Sequence, residues 1–487
     1  MTQADDTAFR NKALTGVKWV AADKWSNRLM GLVVLTVLGR LLSPADFGLV
    51  ALASAFMAFA NVFVDQGFGR GLVQRAELSR IYTNTAFWTS VISSGALALI
   101  SFLLAPQLAE LFGDGESLTP IIRWLSVGLV LNALSSVPAA LLERDFKFRS
   151  LAIRRFSGTM VGGIAAIVSA FAGFGVWSLV IQTLLASIVG LVTLWVESRW
   201  RPNFEFSYSA LKDLWSVGGS IIGMELIGLV NSQADRLLIG AVLSAEALGY
   251  YYLSVRLVSI MVELFSSVFS GVSLTTFSRL QHDRPRLLAW FYKLTSLSST
   301  FAIPFFALGA ITAPVLIPLV FGEQWEQSVI IMRVLCFLGA LNAVAYYDRS
   351  VLIAVGRARS ALFLTLGQSL LGVVLVLIAL PYGVVAVALG VTLRQYIYWP
   401  LRLYILKKNV GVDPKKYWSQ WFRPFLVSLV AVGGSILLGS LFPQLVSVPF
   451  AFLLVHAGWA LIVFGIGTWL INKTVYHDVM RIVRKKL

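Results

Sequence analysis

The sequence predicts an all-α polytopic membrane protein of about fourteen transmembrane helices. It predicts two six-helix lobes in parallel repeat, then two C-terminal helices, with the N- and C-termini cytoplasmic. Three observations carry this. First, the 487 residues are 57% hydrophobic and 13% charged, with a mean hydropathy of +0.79, whereas a soluble chain of this length exposes far more charge. Second, most apolar runs exceed the roughly 18 residues that cross a bilayer as a helix, and the alternating strands of an outer-membrane barrel are missing. Third, a hairpin near the N-terminus recurs later in the chain.

That hairpin, Val17 to Gly69, organises the sequence. Its turn reads Gly39-Arg40-Leu41-Leu42-Ser43-Pro44-Ala45-Asp46-Phe47-Gly48, and it returns as Gly240-Ala241-Val242-Leu243-Ser244-Ala245-Glu246-Ala247-Leu248-Gly249. Without a gap, Gly39, Leu42, Ser43 and Gly48 fall on Gly240, Leu243, Ser244 and Gly249. Lys147-Phe148-Arg149-Ser150 resembles Arg357-Ala358-Arg359-Ser360, and Gly175-Val176 resembles Gly383-Val384. Each pair is separated by six predicted spans, so the repeat keeps its orientation and the lobes are parallel. The expected divisions are an N-terminal lobe over 1–200, a C-terminal lobe over 201–410, and two further helices with a basic tail over 411–487.

The spans centre near Val33, Ala55, Gly95, Val130, Ala165, Ala186, Gly228, Ile260, Phe305, Phe337, Val373, Gly390, Gly433 and Leu454. Alternate loops are basic, beginning with Arg70, Arg75 and Arg80 and then Arg144, Lys147, Arg149, Arg154 and Arg155. The series ends with Lys407, Lys408, Lys415 and Lys416, and a tail holding Arg481, Arg484, Lys485 and Lys486. The other loops carry Glu110, Asp114, Glu116, Glu246, Glu323 and Glu326, with Arg40 as the exception. Retention of Lys and Arg on the cytoplasmic side accounts for this alternation and for the net charge of +16 without a nucleic-acid partner. The N-terminal segment Met1 to Lys12 lacks the pattern of a cleaved signal, so the first span is expected to be retained. Cys336, in an apolar run, is the single cysteine and reads as a packing residue.

Charges inside spans are costly, about 2.5–3.5 kcal/mol each on insertion scales, and are functional candidates for that reason. Lys24 and Arg28 lie one turn apart on the first span, with Asp23 beside them. One reading is snorkelling to the headgroups. The other is a cationic cavity, with Arg28 gripping phosphate oxygens in a fork. The seventh span carries Glu225, Ser232 and Asp235 on one face, and the eighth a stripe of Arg256, Ser259, Glu263 and Ser270. Such stripes face protein or water, as structural ion pairs or as a pathway with titrating carboxylates. Arg394, with Tyr398 one turn on, lies in the twelfth span. The substrate-binding candidates are therefore Lys24, Arg28, Arg256 and Arg394. The gating or ion-coupling candidates are Asp23, Glu225, Asp235 and Glu263. Lys24 and Glu225 hold equivalent positions in the repeat and are expected to face each other across a cavity.

Enzyme signatures are missing. There is no phosphate-binding glycine loop, no nucleophile elbow, and no histidine pair with metal-ligand spacing among His282, His456 and His477. No catalytic residue, metal or cofactor is expected.

The Leu38 to Gly48 turn, Asp65-Gln66-Gly67-Phe68-Gly69, Asp235-Arg236-Leu237-Leu238-Ile239-Gly240 and Leu142-Glu143-Arg144-Asp145-Phe146-Lys147-Phe148-Arg149 resemble one family. It is the polysaccharide transporters of the multidrug/oligosaccharidyl-lipid/polysaccharide (MOP) exporter superfamily, especially the lipopolysaccharide and colanic-acid exporter group. The resemblance implies two six-helix bundles around a central cavity plus two peripheral helices. It implies a flippase that moves an oligosaccharide repeat unit on undecaprenyl pyrophosphate from the cytoplasmic to the periplasmic leaflet by alternating access. The location expected is the bacterial inner membrane, and the partners are that substrate, membrane lipids and polysaccharide polymerase machinery. Nothing in the sequence requires more than a monomer. The rival reading is an ion-coupled exporter of small molecules from the same superfamily. A glycan polymerase or ligase is disfavoured by the short outer loops.

Overall fold

The computed structural model describes residues 3–65, 68–75, 78–113, 115–442 and 448–471. Gln66, Gly67, Asp114, His477 and the tail cations Arg481, Arg484, Lys485 and Lys486 lie outside the described residues, as does the side chain of Ser270. The helices are α1 (Gln3–Leu41), α2 (Pro44–Asp65), a short α3 (Phe68–Gln74), α4 (Arg80–Leu111), α5 (Gly115–Arg144), α6 (Phe148–Phe171) and α7 (Trp177–Ser198). They continue with α8 (Tyr208–Val242), α9 (Ala245–Arg279), α10 (Arg284–Phe321), α11 (Glu326–Val344) and the short α12 (Tyr346–Ala354). The last four are α13 (Ala358–Ala379), α14 (Val384–Val410), α15 (Pro414–Leu441) and α16 (Pro449–Ile471).

No strand occurs among the described residues. Among them, 12 helical stretches are long and apolar enough to cross a membrane. The chain is a multi-pass membrane protein. Each of the span centres read from the sequence falls in its own helix. The two such helices outside the apolar set are α1, which holds Asp23, Lys24 and Arg28, and α8, which holds Glu225, Asp235 and Arg236.

Local chemistry fixes the helix ends, and it recurs. Ser43 precedes α2, and its hydroxyl accepts from the Asp46 N–H at 3.2 Å while the Asp46 carboxylate accepts from the Ser43 N–H at 2.9 Å. This reciprocal capping box, with Pro44 at the first helical position, starts α2. At the later turn Ser244 accepts from the Ala247 N–H at 3.1 Å. The turn before α6 ends α5 with Phe146 at φ 58 and the Lys147 N–H on the Leu142 carbonyl at 2.9 Å. The turn before α13 repeats this with Gly356 at φ 76 and the Arg357 N–H on the Leu352 carbonyl at 2.9 Å. Both closures are of the Schellman kind, which needs a left-handed residue. Glycine supplies it freely at 356, and Phe146 does so against its Cβ.

The chain forms two compact units, Met1–Gly249 and Tyr250–Leu487. In the first, α6 lies against α7 through small residues. A methyl on Gly158 would come within 2.7 Å of the Ala186 carbonyl oxygen, and one on Gly162 within 2.6 Å of that of Gln182. Backbones this close are the usual association of membrane helices. The start of α9 meets α2 in the same way within this unit. A methyl on Gly48 would strike the Ala245 carbonyl, and one on Gly249 the Pro44 carbonyl. The segment before α8 is packed on α4 rather than free. Trp88 donates to the Asn203 carbonyl at 2.9 Å, Asn84 donates to Glu205 at 3.0 Å, and the Trp88 and Phe204 rings stack at 4.8 Å.

The second unit has its core around Phe277, Phe291, Tyr347, Trp399 and Tyr417. α15 takes part directly: Tyr417 is fully buried and stacks on Phe291 at 5.9 Å. Ser299 of α10 also donates to the Gln420 carbonyl at 2.8 Å.

Candidate functional site

A polar cavity of about 340 Å³ opens within the first unit, between α2, α5, α6 and α8. Asn61 and Val62 of α2, Asn132, Ser135 and Ser136 of α5, Arg154 of α6 and Glu225 of α8 line it. Their periodicity brings them together. Asn132, Ser135 and Ser136 recur at the three-to-four-residue spacing that places side chains on one helix face. Asn132 donates to the Asn61 carbonyl oxygen at 2.9 Å, and Asn61 donates to the Met57 backbone carbonyl at 2.9 Å. Glu225 pairs with Arg70 of α3 at 2.7 Å. The cavity therefore offers amides and hydroxyls, which bond to hydroxyl-rich groups, beside one guanidinium suited to an anion.

Asp23 of α1 is fully engaged. It is 6% exposed, accepts from Arg155 at 2.9 Å and accepts from the Asn27 amide at 2.6 Å. Thr159 donates to the Asn27 carbonyl oxygen at 2.8 Å. Asp23 thus ties α1 to α6. Lys24 is exposed, and Arg28 is half-buried with its guanidinium 5.8 Å from the Trp25 ring. Neither Lys24 nor Arg28 lines the cavity. Asp235 is half-buried and accepts from the Arg236 N–H at 2.9 Å.

In the second unit Arg256 is exposed and Glu263 half-buried on α9. Arg394 and Tyr398 of α14 lie against α13, where Gly372 and Gly367 leave room for them; a side chain at either glycine would collide. Beside them a largely buried network joins five helices, α11 to α15. Gln368 donates to Gln395 at 2.6 Å, Arg402 donates to Gln368 at 2.8 Å, and Gln395 donates to Asn342. Asp348, 2% exposed, sits 3.8 Å from Arg402 and 3.4 Å from the Tyr417 hydroxyl. A second cavity, of about 710 Å³, lies between α10, α11, α14, α15 and α16. Its walls are largely apolar and aromatic, among them Phe306, Trp399, Trp418 and Trp421, with Arg333 its formally charged lining residue and Cys336 also on its wall.

Of the substrate-binding and gating candidates read from sequence, Glu225 alone lines the polar cavity, and its partner is Arg70 rather than Lys24. Sequence reasoning missed Arg154 and Asn132. Arg154 and Arg155 read as loop cations, yet α6 begins at Phe148 and carries both. The four-residue spacing of Gly158 and Gly162 further along the same helix is the signal that could have shown it continuing as a close-packed span. Asn132 carried no signal beyond a polar residue inside an apolar run.

An all-helical bundle with a polar cavity in one unit and an apolar one in the other defines a multi-pass membrane protein of the transporter class. The family described as "Polysaccharide biosynthesis protein" matches residues 37–330, and the chain belongs to it. Among curated relatives, the "Lipopolysaccharide biosynthesis protein WzxC" of Escherichia coli is 25% identical over 89% of this chain and 88% of its own length. The "Teichuronic acid biosynthesis protein TuaB" of Bacillus subtilis is 26% identical over 88% of this chain and 90% of its own. The "Succinoglycan biosynthesis transport protein ExoT" of Rhizobium meliloti is 29% identical over 64% of this chain and 63% of its own. The fold is that of a solved structure of the lipid II flippase MurJ in an inward closed conformation. That match has a TM-score of 0.76 at 15% identity over 94% of this chain and 99% of the other. An inward-facing multidrug resistance MATE transporter of the MOP superfamily shares the fold at a TM-score of 0.65 and 15% identity, over 79% of this chain and 94% of the other.

Proposed function

We propose that this chain is a lipid-linked oligosaccharide flippase of the bacterial inner membrane. It moves undecaprenyl-pyrophosphate-linked repeat units from the cytoplasmic to the periplasmic leaflet by alternating access, for exopolysaccharide or lipopolysaccharide assembly. The observation that carries this reading is the amide-, hydroxyl- and guanidinium-lined cavity inside an otherwise apolar bundle. Sugar hydroxyls bond to Asn61, Asn132 and Ser136, and the phosphates meet Arg154. The family membership and the names of the relatives support the same substrate class.

All fourteen long helices cross the membrane, α1 and α8 included, and both termini are cytoplasmic because the basic loops lie on that side. The functional lobes are 1–200 and 201–410, with 411–487 appended. Lys24, Arg28, Arg256 and Arg394 line the path of the pyrophosphate. Asp23, Glu225, Asp235 and Glu263 serve gating or ion coupling, with the Arg70–Glu225 pair as one closure contact. The protein acts as a monomer, is not an enzyme, and hands its product to polysaccharide polymerase machinery.

The test is to delete the gene and ask on which leaflet the undecaprenyl-linked sugars lie. Cytoplasmic accumulation is expected, restored by the wild-type chain. Arg154→Gln is expected to lower transport by about tenfold or more, the loss of a hydrogen bond to a charged group. Arg28→Ala reports separately on the path. Normal periplasmic delivery in the deletion strain, with resistance to toxic cations on overexpression, would move the assignment to small-molecule export, which the MATE-like fold also accommodates.

A further inference from the structure

The apolar cavity of the second unit holds one formal charge, Arg333, and the first unit repeats the setting of that arginine. Arg333 lies two turns into α11, and its Nε–H donates to the Ala310 carbonyl of α10 at 3.2 Å. Arg123 lies two turns into α5, and its Nε–H donates to the Phe102 carbonyl of α4 at 3.3 Å. In each case the helix begins beside acidic residues, Glu326 in one and Glu116 in the other. In each case the flanking side chains are apolar and exposed. Trp124 is 56% and Leu103 59% exposed near Arg123, and Ile330 is 45% and Phe337 57% exposed near Arg333. On a membrane protein such surfaces face hydrocarbon, so both guanidiniums stand at the lipid boundary, each anchored through Nε, with Arg123 also lying over the Phe102 ring at 4.8 Å. Among the described residues neither forms a salt bridge.

We infer that Arg123 and Arg333 are a duplicated pair of phospholipid-phosphate sites, and that the Arg333 site also takes an acyl chain of its lipid into the apolar cavity. Each site binds an anionic glycerophospholipid of the outer leaflet. A guanidinium fork fits a phosphate, and below Arg333 the cavity presents Phe306, Phe337 and Phe425, which suit a hydrocarbon chain. Trp399, Trp418 and Trp421 also line that cavity, with ring centroids 4.7 to 5.4 Å apart. The duplication selects the ligand. A transported substrate occupies one path, whereas membrane phospholipid surrounds both units, so an arginine kept in the same setting on both points to the bulk lipid. Placing these residues in the outer leaflet rests on the membrane orientation proposed above; the lipid chemistry does not depend on what the protein transports.

Native mass spectrometry of the full-length, delipidated protein tests this with three probes: phosphatidylglycerol, phosphate-free dioleoylglycerol, and undecaprenyl phosphate. Two tightly held phosphatidylglycerols are expected. Arg333→Gln should weaken one by about tenfold, Arg123→Gln the other, and the double variant both. Arg333→Lys should keep part of the binding, and Gly439→Trp, which fills the cavity and leaves Arg333 in place, should weaken only the Arg333 site. Equal phosphatidylglycerol binding by the wild type and the folded Gln variants, or equal retention of dioleoylglycerol, overturns the assignment. Stronger binding of undecaprenyl phosphate at Arg333 overturns it as well, giving the site to the substrate. Leaflet transport is measured separately, so a chain that binds the lipid and moves no oligosaccharide removes the flippase reading alone.

Discussion

At the residue scale, the informative side chains are those whose partners decide their role. Asp23 is a buried carboxylate in a long helix read as a membrane span, a combination that points to ion coupling. Its partners Arg155 and Asn27 also make it a tie between α1 and α6. The two roles separate by substitution. Asp23→Asn keeps the shape and part of the bonding, so a tie leaves transport near normal, while a titrating group loses it. Asp23→Leu removes the acceptor for Arg155 and Asn27. It should lower stability by about 1–3 kcal/mol, read as a lower melting temperature in detergent. Arg154 shows the limit of reading cations by the loop they follow. The basic run from Arg149 to Arg155 was legible, but charge pattern gives the side of the membrane and not the depth within a helix. Three-dimensional packing alone brings Arg154 of α6 beside Asn61, Asn132 and Glu225.

At the element scale, the two related turns do more than join helices. Gly48 and Gly249 let α2 and the start of α9 touch backbone to backbone, with no space for a methyl on either. Gly249→Leu must separate these segments, and the contacting atoms are main chain, which cannot swing aside. The variant is expected to lose most of its transport while still inserting in the membrane. Cysteine accessibility or protease protection at the α2 turn should rise. An unchanged turn with full transport would show that the contact is dispensable. The sequence displayed the matched glycines in register, which marked the turns as related. It gave no indication that the two copies meet each other, since repetition carries no distance.

At the scale of the whole molecule, run length was enough to place every long helix, because the bilayer sets the period that sequence must obey. The cavities were not legible in the same way: they are lined by residues from four or five helices, and only packing brings those together. The last two helices differ in how they meet the second unit, and α15 is the one that reaches its core. The family resemblance implies that they are peripheral, yet α15 inserts Tyr417 into the core of the second unit, and the Asp413 N–H donates to the Tyr292 hydroxyl at 2.7 Å. Truncation after Val410 is therefore expected to destabilise the second unit rather than yield a minimal transporter. Loss of the monodisperse peak in detergent size-exclusion chromatography would register this, and a well-behaved truncated protein would refute it.

The chain's single cysteine, Cys336, is 2% exposed and lies on the wall of the apolar cavity. The wild-type protein thus carries one spectroscopic handle, in the cavity where a hydrocarbon chain is expected to bind. A small maleimide or a nitroxide attached there needs no engineered background. Its reaction rate and mobility report directly on whether that cavity is filled, in native membranes as well as in detergent.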